Sequence, residues 1–236
     1  MSPLAPTPAD AIVPPDVRTA LDLVSASWST TVGVVSGRRR ADVAARVGDA
    51  PAFVAGLHGL EIAGPSVMFH HQALDEVAPV IASINAMARR SLSWCPGVVL
   101  EDKTYALTCH VRLTPPECAE RALDEFEAVA EPQLEARVLK LLTAAQALEL
   151  LPAVSWHKGK AAEWIRARVA ARVNGPVSVV YLGDDRTDED AFDVLTTNDV
   201  AIGVGDRPHT HLIDHRLAGP DAVGQFFDAL AVERGT

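Results

Sequence analysis

The chain has 236 residues, 48% of them hydrophobic, and a formal net charge of -10. That length is enough to bury a full-sized core, while the acidic balance argues against a nucleic-acid partner or an anionic membrane surface, both of which reward clustered Lys and Arg. Cys95, Cys109 and Cys118 form no CxxC pair and leave one cysteine over in any pairing, so a reducing cytoplasm is expected rather than a disulfide framework.

No basic leader followed by an apolar run opens the sequence, and no stretch reaches the ~18 apolar residues of a membrane span. The first block is a Pro-rich lead (Pro3, Pro6, Pro8, Pro14, Pro15), a helix over 16–26 and an apolar run over 31–35 that ends in Ser36-Gly37-Arg38 and flows into a second helix. A second apolar run over 52–55 ends in Gly56-Leu57-His58-Gly59, and strand, helix, strand at this spacing is half of a parallel α/β layer. The middle block, 64–152, reads differently. A helix over 70–90 precedes strand candidates at 97–101 and 104–113, whose short connection makes them antiparallel neighbours, and a helix over 117–130 opens on Pro115-Pro116. For 135–151, propensity favours helix, whereas a small inserted α+β module favours a hairpin. The last block alternates again: helix 158–173, strand 176–182, helix 188–195, strand 200–204 and helix 221–232. The domain reading is a core of 1–63 and 153–236 with an inserted cap of 64–152.

The strongest chemical signal is Gly183-Asp184-Asp185-Arg186-Thr187-Asp188-Glu189-Asp190 at the end of a buried strand. Clustered carboxylates repel one another unless a cation sits nearby, and hard oxygen donors at a tight turn suit Mg2+. Some of the same side chains also fit a helix N-cap. Ser36-Gly37-Arg38 stands where an α/β sheet binds ligands, beyond the carboxyl end of a strand, with a hydroxyl and backbone amides for phosphate; alone it is also an ordinary turn, and Arg39 and Arg40 read as solvated. His157-Lys158-Gly159-Lys160 opens a helix, and a lysine delivered there balances carboxylates and attracts phosphoryl oxygens, although in isolation it reads as a surface charge.

Taken in order, Ser36-Gly-Arg38, Gly56-Leu-His58-Gly-Leu-Glu61, Glu101-x-Lys103, His110-x-Arg112, Lys158-Gly159 and Gly183-Asp-Asp-Arg-Thr-Asp-Glu-Asp-Ala-Phe192 resemble the trehalose-phosphatases of the haloacid dehalogenase superfamily. The resemblance runs along essentially the whole chain. It implies an α/β fold with a Rossmann-like parallel-sheet core and an inserted α+β cap, magnesium dependence, and hydrolysis of trehalose 6-phosphate through an aspartyl-phosphate. By that likeness Ser36, Gly37, Arg38 and Lys158 hold phosphate, with Ser36 and Lys158 catalytic, and Asp184, Asp185 and Asp188 serve the metal. Glu101, Lys103 and Glu149 read the sugar, with His58, Glu61, His110 and Arg112 as further substrate-binding candidates. The likeness also places Glu149 on a strand before the core resumes, which favours the hairpin over 135–151. Residues two apart on a strand share a face, so Glu101 with Lys103, and His110 with Arg112, form polar pairs that otherwise read as a solvated sheet face.

The family opens with a strand ending in Asp-x-Asp-Gly-Thr-Leu, whose aspartates are nucleophile and general acid-base. Met1-Ser2-Pro3-Leu4-Ala5-Pro6 resembles the segment that follows it. The expectation is therefore that residues 1–236 alone lack turnover, and that the strand carrying those aspartates is the central one between the strands of Ser36 and Asp184. Two explanations stand open: a start lying further upstream, or a catalytically inactive sugar-phosphate-binding paralogue. A phosphatase for another phosphosugar is a third reading.

Overall fold

The structure is a computed structural model in which residues 7–207 and 213–233 are described; Pro3, Pro6 and the Met1–Pro6 segment lie outside them. It is α/β, and by internal contacts residues 11–70 with those from Trp156 onward form one unit, while His71–Ser155 form a second.

In the first unit, helix α1 (Pro15–Ala26) starts at a proline, where the missing N–H is no loss, and buries Val17, Ala20, Leu21 and Val24 at helical spacing against the C-terminal helix. Strand β1 (Gly33–Val35), helix α2 (Arg40–Val47) and strand β2 (Phe53–Gly56) follow, with β1 and β2 parallel. The register pairs Val34 with Val54 and Val35 with Ala55. Val34 and Val54 thus face α2 through Val43 and Val47, while Phe53 and Ala55 face the opposite side. There they meet Ala161, Ile165 and Val169 of helix α5 (Lys158–Val173). Two antiparallel strands that sequence reasoning missed, β3 (Glu61–Gly64) and β4 (Val67–His70), extend this sheet in the order β1-β2-β3-β4. The expected cap boundary at Gly64 falls inside this hairpin, and the division lies after His70 because β4 pairs with β3.

The remaining core strands, β9 (Val180–Gly183), β10 (Val200–Val204) and β11 (His215–Leu217), form a separate parallel sheet of order β11-β10-β9. The parallel strands are thus split between two sheets, with β1 and β9 each at an edge. The helix expected over 188–195 shortens to a 3-10 turn at Arg186–Asp188 and α6 (Glu189–Phe192), because Asp185 caps the tighter turn. Helix α7 (Pro220–Glu233) closes the unit.

The second unit is an antiparallel sheet covered by two helices. Strands β5 (Val99–Asp102), β6 (Leu107–His110), β7 (Leu139–Ala144) and β8 (Ala147–Pro152) take the order β5-β6-β8-β7. Helices α3 (Ala73–Ser91) and α4 (Pro116–Glu135) lay Val77, Ile81, Ile84, Ala122 and Phe126 on Leu107, Cys109, Leu148 and Leu150. Each such large side chain removed from water contributes about 1.5–3 kcal/mol. The segment 135–151 resolves into the end of α4 and the β7–β8 hairpin, so the alternation of Leu148 and Leu150 against Glu149 overrides helix propensity.

Candidate functional site

The Ser36 loop leaves β1 and is fastened to the turn after β2. Ser36 N–H donates to Ala55 O at 3.0 Å, Leu57 N–H to Arg38 O at 2.7 Å and His58 N–H to Ser36 O at 2.9 Å. Arg38 N–H donates to Ser36 Oγ at 3.2 Å, which tightens the turn while the hydroxyl keeps its own proton to donate. Leu57 (φ 50°) and His58 (φ 57°) are both left-handed, a conformation that costs roughly 1–3 kcal/mol per non-glycine residue and persists only where surrounding contacts impose it. A Cβ on Gly37 would stand 2.8 Å from His58 Nε2, so glycine lets the loop pass under that ring without displacing it.

Three residues around this loop take partners within it. Arg39 is not simply solvated, since its Nη2 lies 3.1 Å from Glu61 Oε1. Glu61, 7% exposed, points at the loop's backbone and accepts the Arg40 N–H at 3.0 Å. His58 packs on Gly37.

The acidic turn after β9 is organised by Asp188. Its Oδ1 accepts from Lys158 Nζ and Tyr181 Oη, each at 2.8 Å, and its Oδ2 accepts the N–H groups of Asp184 and Asp185 at 3.0 and 3.1 Å. Four donors therefore occupy a carboxylate that is 4% exposed, and Asp188 acts first as the anchor of the turn. Asp185 caps the 3-10 turn through Thr187 N–H (2.7 Å) and Asp188 N–H (3.2 Å) and lies 3.3 Å from Lys158 Nζ. Asp184 is exposed at residue level, yet burial is the first cause that raises its carboxyl pKa above the ordinary value. Burial alone would lower the Lys158 pKa, but Asp188 and Asp185 outweigh it and hold the ammonium charged above its ordinary value. Burial works against ionised Asp185 too, yet Lys158 and Thr187 bring its pKa down to about 2. Burial and the neighbouring Asp188 charge raise the Tyr181 phenol well above its usual range. Tyr181 escaped the sequence reading; the available signal was a phenol two residues before the acidic turn, whose hydroxyl needs a partner once buried.

Lys158 reaches this turn because it begins α5, and Gly159 beside it admits the backbone of α6: a Cβ there would stand 2.0 Å from Asp190 O. Ser36, Gly37, Arg38, Lys158, Asp184, Asp185 and Asp188 line one cavity of about 210 Å³, whose apolar side includes Ile12, Val34 and Leu182. The edge strands β1 and β9 both contribute to its wall. Oxygens of Asp184, Asp185 and Asp188 come within 4.8 Å of one another, and a donor set of carboxylates without Cys or His fits a hard divalent cation.

In the second unit, the sheet face opposite the helices carries a polar row. The register aligns Glu101 with Thr108 and Thr108 with Glu149, so the three share a face. Lys103, just past β5, places Nζ 2.6 Å from Glu149 Oε1 and 3.9 Å from Glu101 Oε2. His110 Nε2 lies 2.8 Å from Glu101 Oε2. The strand expected to carry both His110 and Arg112 ends at His110, and Arg112 Nε donates to Gln146 Oε1 at 3.3 Å. Thr108, between the two glutamates, was missed by sequence reasoning; its buried hydroxyl has no hydrogen-bond partner among the described residues.

A family model described as Trehalose-phosphatase matches residues 1–214. The chain is 36% identical over 207 residues to the trehalose-phosphate phosphatase of Mycobacterium tuberculosis, covering 85% of this chain and 51% of that protein. It is 35% identical over 211 residues to the Mycobacterium marinum protein of the same name, covering 87% of this chain and 53% of that one. The chain thus spans about half the length of these curated relatives. The fold is similar to that of the C-terminal domain of C. albicans trehalose-6-phosphate phosphatase, with a TM-score of 0.81 at 18% identity over 98% of this chain and 89% of that one. A trehalose-6-phosphate phosphatase related protein gives the same TM-score at 17% identity over 98% and 93% of the two chains.

Proposed function

We propose for this chain, which belongs to the trehalose-phosphatase family, a part in the magnesium-dependent hydrolysis of trehalose 6-phosphate to trehalose and phosphate. The observation that carries the reading is that Ser36, Lys158 and Asp184, from three separate segments, line one cavity. A phosphoryl group there would accept a hydrogen bond from the Ser36 hydroxyl and face the Lys158 ammonium, which its carboxylate partners keep protonated. Asp184 and Asp185 would hold the cation, which supplies positive charge to the phosphoryl oxygens when bound. Asp188 fixes Lys158 and the turn's backbone. These residues bind and orient; the reading assigns them no bond-making step.

Glu101, Lys103 and Glu149, with His110 and Arg112 beside them, form the sugar-reading set in this proposal. Their support is chemical, since paired carboxylates and an ammonium on one sheet face donate to and accept from hydroxyls in the manner a disaccharide requires. Among the described residues, no helix is long and apolar enough to cross a membrane, and the proposed partner is the small phosphosugar.

The test pairs binding with turnover in the presence of Mg2+, using trehalose 6-phosphate, glucose 6-phosphate and p-nitrophenyl phosphate. The reading expects trehalose 6-phosphate to bind most tightly, and the Lys158→Ala and Ser36→Ala variants to lose affinity for all three. Equal binding of the three phosphates by the wild type would remove the trehalose assignment. Loss of sugar discrimination rather than phosphate affinity in Ser36→Ala would remove the phosphate site.

A further inference from the structure

The cavity wall formed by Ser36, Gly37 and Arg38 is held in place by a carboxylate that is not itself part of that wall. We propose that Glu61 is the positioning residue of the phosphate-binding loop and makes no contact with the sugar. The consequence for phosphate rests on the functional reading above; the cause is local geometry. Glu61 stands at the start of β3 and grips the loop at two successive residues. Arg39 donates to it from Nη2 at 3.1 Å and from Nε at 3.4 Å, and Arg40 donates its backbone N–H at 3.0 Å.

Arg40 is the first residue of α2, and Arg39, at the N-cap position, offers no side-chain cap to the helix. The first N–H groups of a helix have no partner inside it, and negative charge is favoured beside them. Glu61 therefore does from a neighbouring strand what a Ser or Asp cap would do within the helix. The guanidinium of Arg39, in contact with both carboxylate oxygens, keeps that carboxylate aimed.

The backbone beneath the loop leaves no slack. A Cβ on Gly56 would stand 2.1 Å from Arg40 N and 2.7 Å from Arg38 O, so the loop rests directly on β2. From the other side His58 covers Gly37 and its N–H holds Ser36 O. Ser36 is fixed between these supports, and its hydroxyl direction follows the position of the Arg38–Arg40 backbone that Glu61 sets. A carboxylate engaged by an ion pair and a helix terminus has little capacity left for a sugar hydroxyl.

The experiment measures equilibrium binding of inorganic phosphate, trehalose 6-phosphate and trehalose to the wild type, Glu61→Gln, Glu61→Asp and Arg39→Met. Glu61→Gln preserves size but removes the charge that Arg39 and the helix terminus meet. Its dissociation constants for phosphate and for trehalose 6-phosphate should rise by the same factor, about tenfold, the loss of one charge-assisted hydrogen-bond set. Binding of trehalose should not change. Glu61→Asp should recover most of the loss. Arg39→Met should weaken binding of phosphate and trehalose 6-phosphate by one common factor, smaller than that of Glu61→Gln because the Arg40 N–H still meets the carboxylate. The double variant should lose less than the sum of the two single losses because the Arg39–Glu61 pair is shared. If Glu61→Gln does not fold, Arg39→Met, at a side chain about one-third exposed, carries the same comparison.

Weakened trehalose 6-phosphate binding with intact phosphate binding would make Glu61 a sugar contact and overturn the proposal, as would unchanged phosphate affinity in a folded variant. A wild type that binds phosphate but not trehalose 6-phosphate would defeat the functional reading alone, leaving the role of Glu61 decided by phosphate. One that binds neither would overturn both.

Discussion

The two charged clusters of this protein are built by opposite means. At the turn after β9, four donors to Asp188 come from Tyr181, Asp184, Asp185 and Lys158, and two of them are backbone N–H groups within four residues. On the face of β5, β6 and β8, Lys103 meets Glu149 forty-six positions away, side chain to side chain, through strand register. The first cluster is therefore part of the chain's path, and altering it alters the backbone. The second is mounted on a sheet already held by Leu107, Cys109, Leu148 and Leu150 on its other face, so its contacts run between side chains and not through the backbone. A chemistry that must stay constant suits the first construction, and a recognition surface that must adapt suits the second.

The largest effect expected follows from Lys158→Ala. It leaves buried Asp188 and its neighbour Asp185 without their cation, and breaking such a buried set costs about 3–5 kcal/mol. Urea unfolding should show that loss together with the loss of phosphate binding; a variant of wild-type stability would mean that the turn does not depend on the lysine.

Lys103→Ala comes next and should behave differently. Affinity for trehalose 6-phosphate should fall by about tenfold or more, the worth of roughly 1.5–3 kcal/mol for a hydrogen bond to a charged group, while binding of p-nitrophenyl phosphate stays near the wild-type value. Parallel losses on the two ligands would place Lys103 outside the recognition surface.

Tyr181→Phe removes one of the four donors to Asp188 and should cost about 1 kcal/mol in thermal or urea unfolding, leaving the fold intact.

The smallest effect concerns acid. Asp185 has its pKa lowered from 3.8 to about 2, so its ionised form stabilises the fold above about pH 4 and that contribution is lost as the pH falls towards 2. In metal-free buffer, Asp185→Asn should be less stable than the wild type at neutral pH and should lose less stability over the interval from pH 4 to 2. A wild-type profile flat across that interval would contradict the depressed value.

Legibility in the sequence followed the same division. The runs around 31–35, 52–55 and 200–204 announce buried parallel strands by continuous apolar residues, and the Gly183–Asp190 turn carries its chemistry in consecutive positions. β3 and β4 escaped notice because each is only four residues long and Glu61 and His70 bound them with polar ends, and β11 because His215-Arg216-Leu217 is short and polar. Thr108 could not be picked out, since only the register sets it between Glu101 and Glu149. Glu61 was noticed, but its partner Arg39 lies twenty-two residues away, and no local pattern announces a carboxylate that caps another element's helix.

Where the polypeptide departs from the first unit and where it comes back, two aromatic rings mark the spot. Phe69 on β4 stacks on Trp156 with centroids 4.5 Å apart, and the Trp156 indole N–H is pinned to Gly59 O at 2.8 Å. Everything from His71 to Ser155 is therefore, to the first unit, an excursion whose two ends are already joined. The entropy of closing such an excursion grows only with the logarithm of its length, so its content can be lengthened, shortened or exchanged at little cost to the unit that hosts it. A chimera that splices a foreign module between His70 and Trp156 should keep the melting behaviour of β1–β4 and α5, provided the Phe69–Trp156 stack survives the graft.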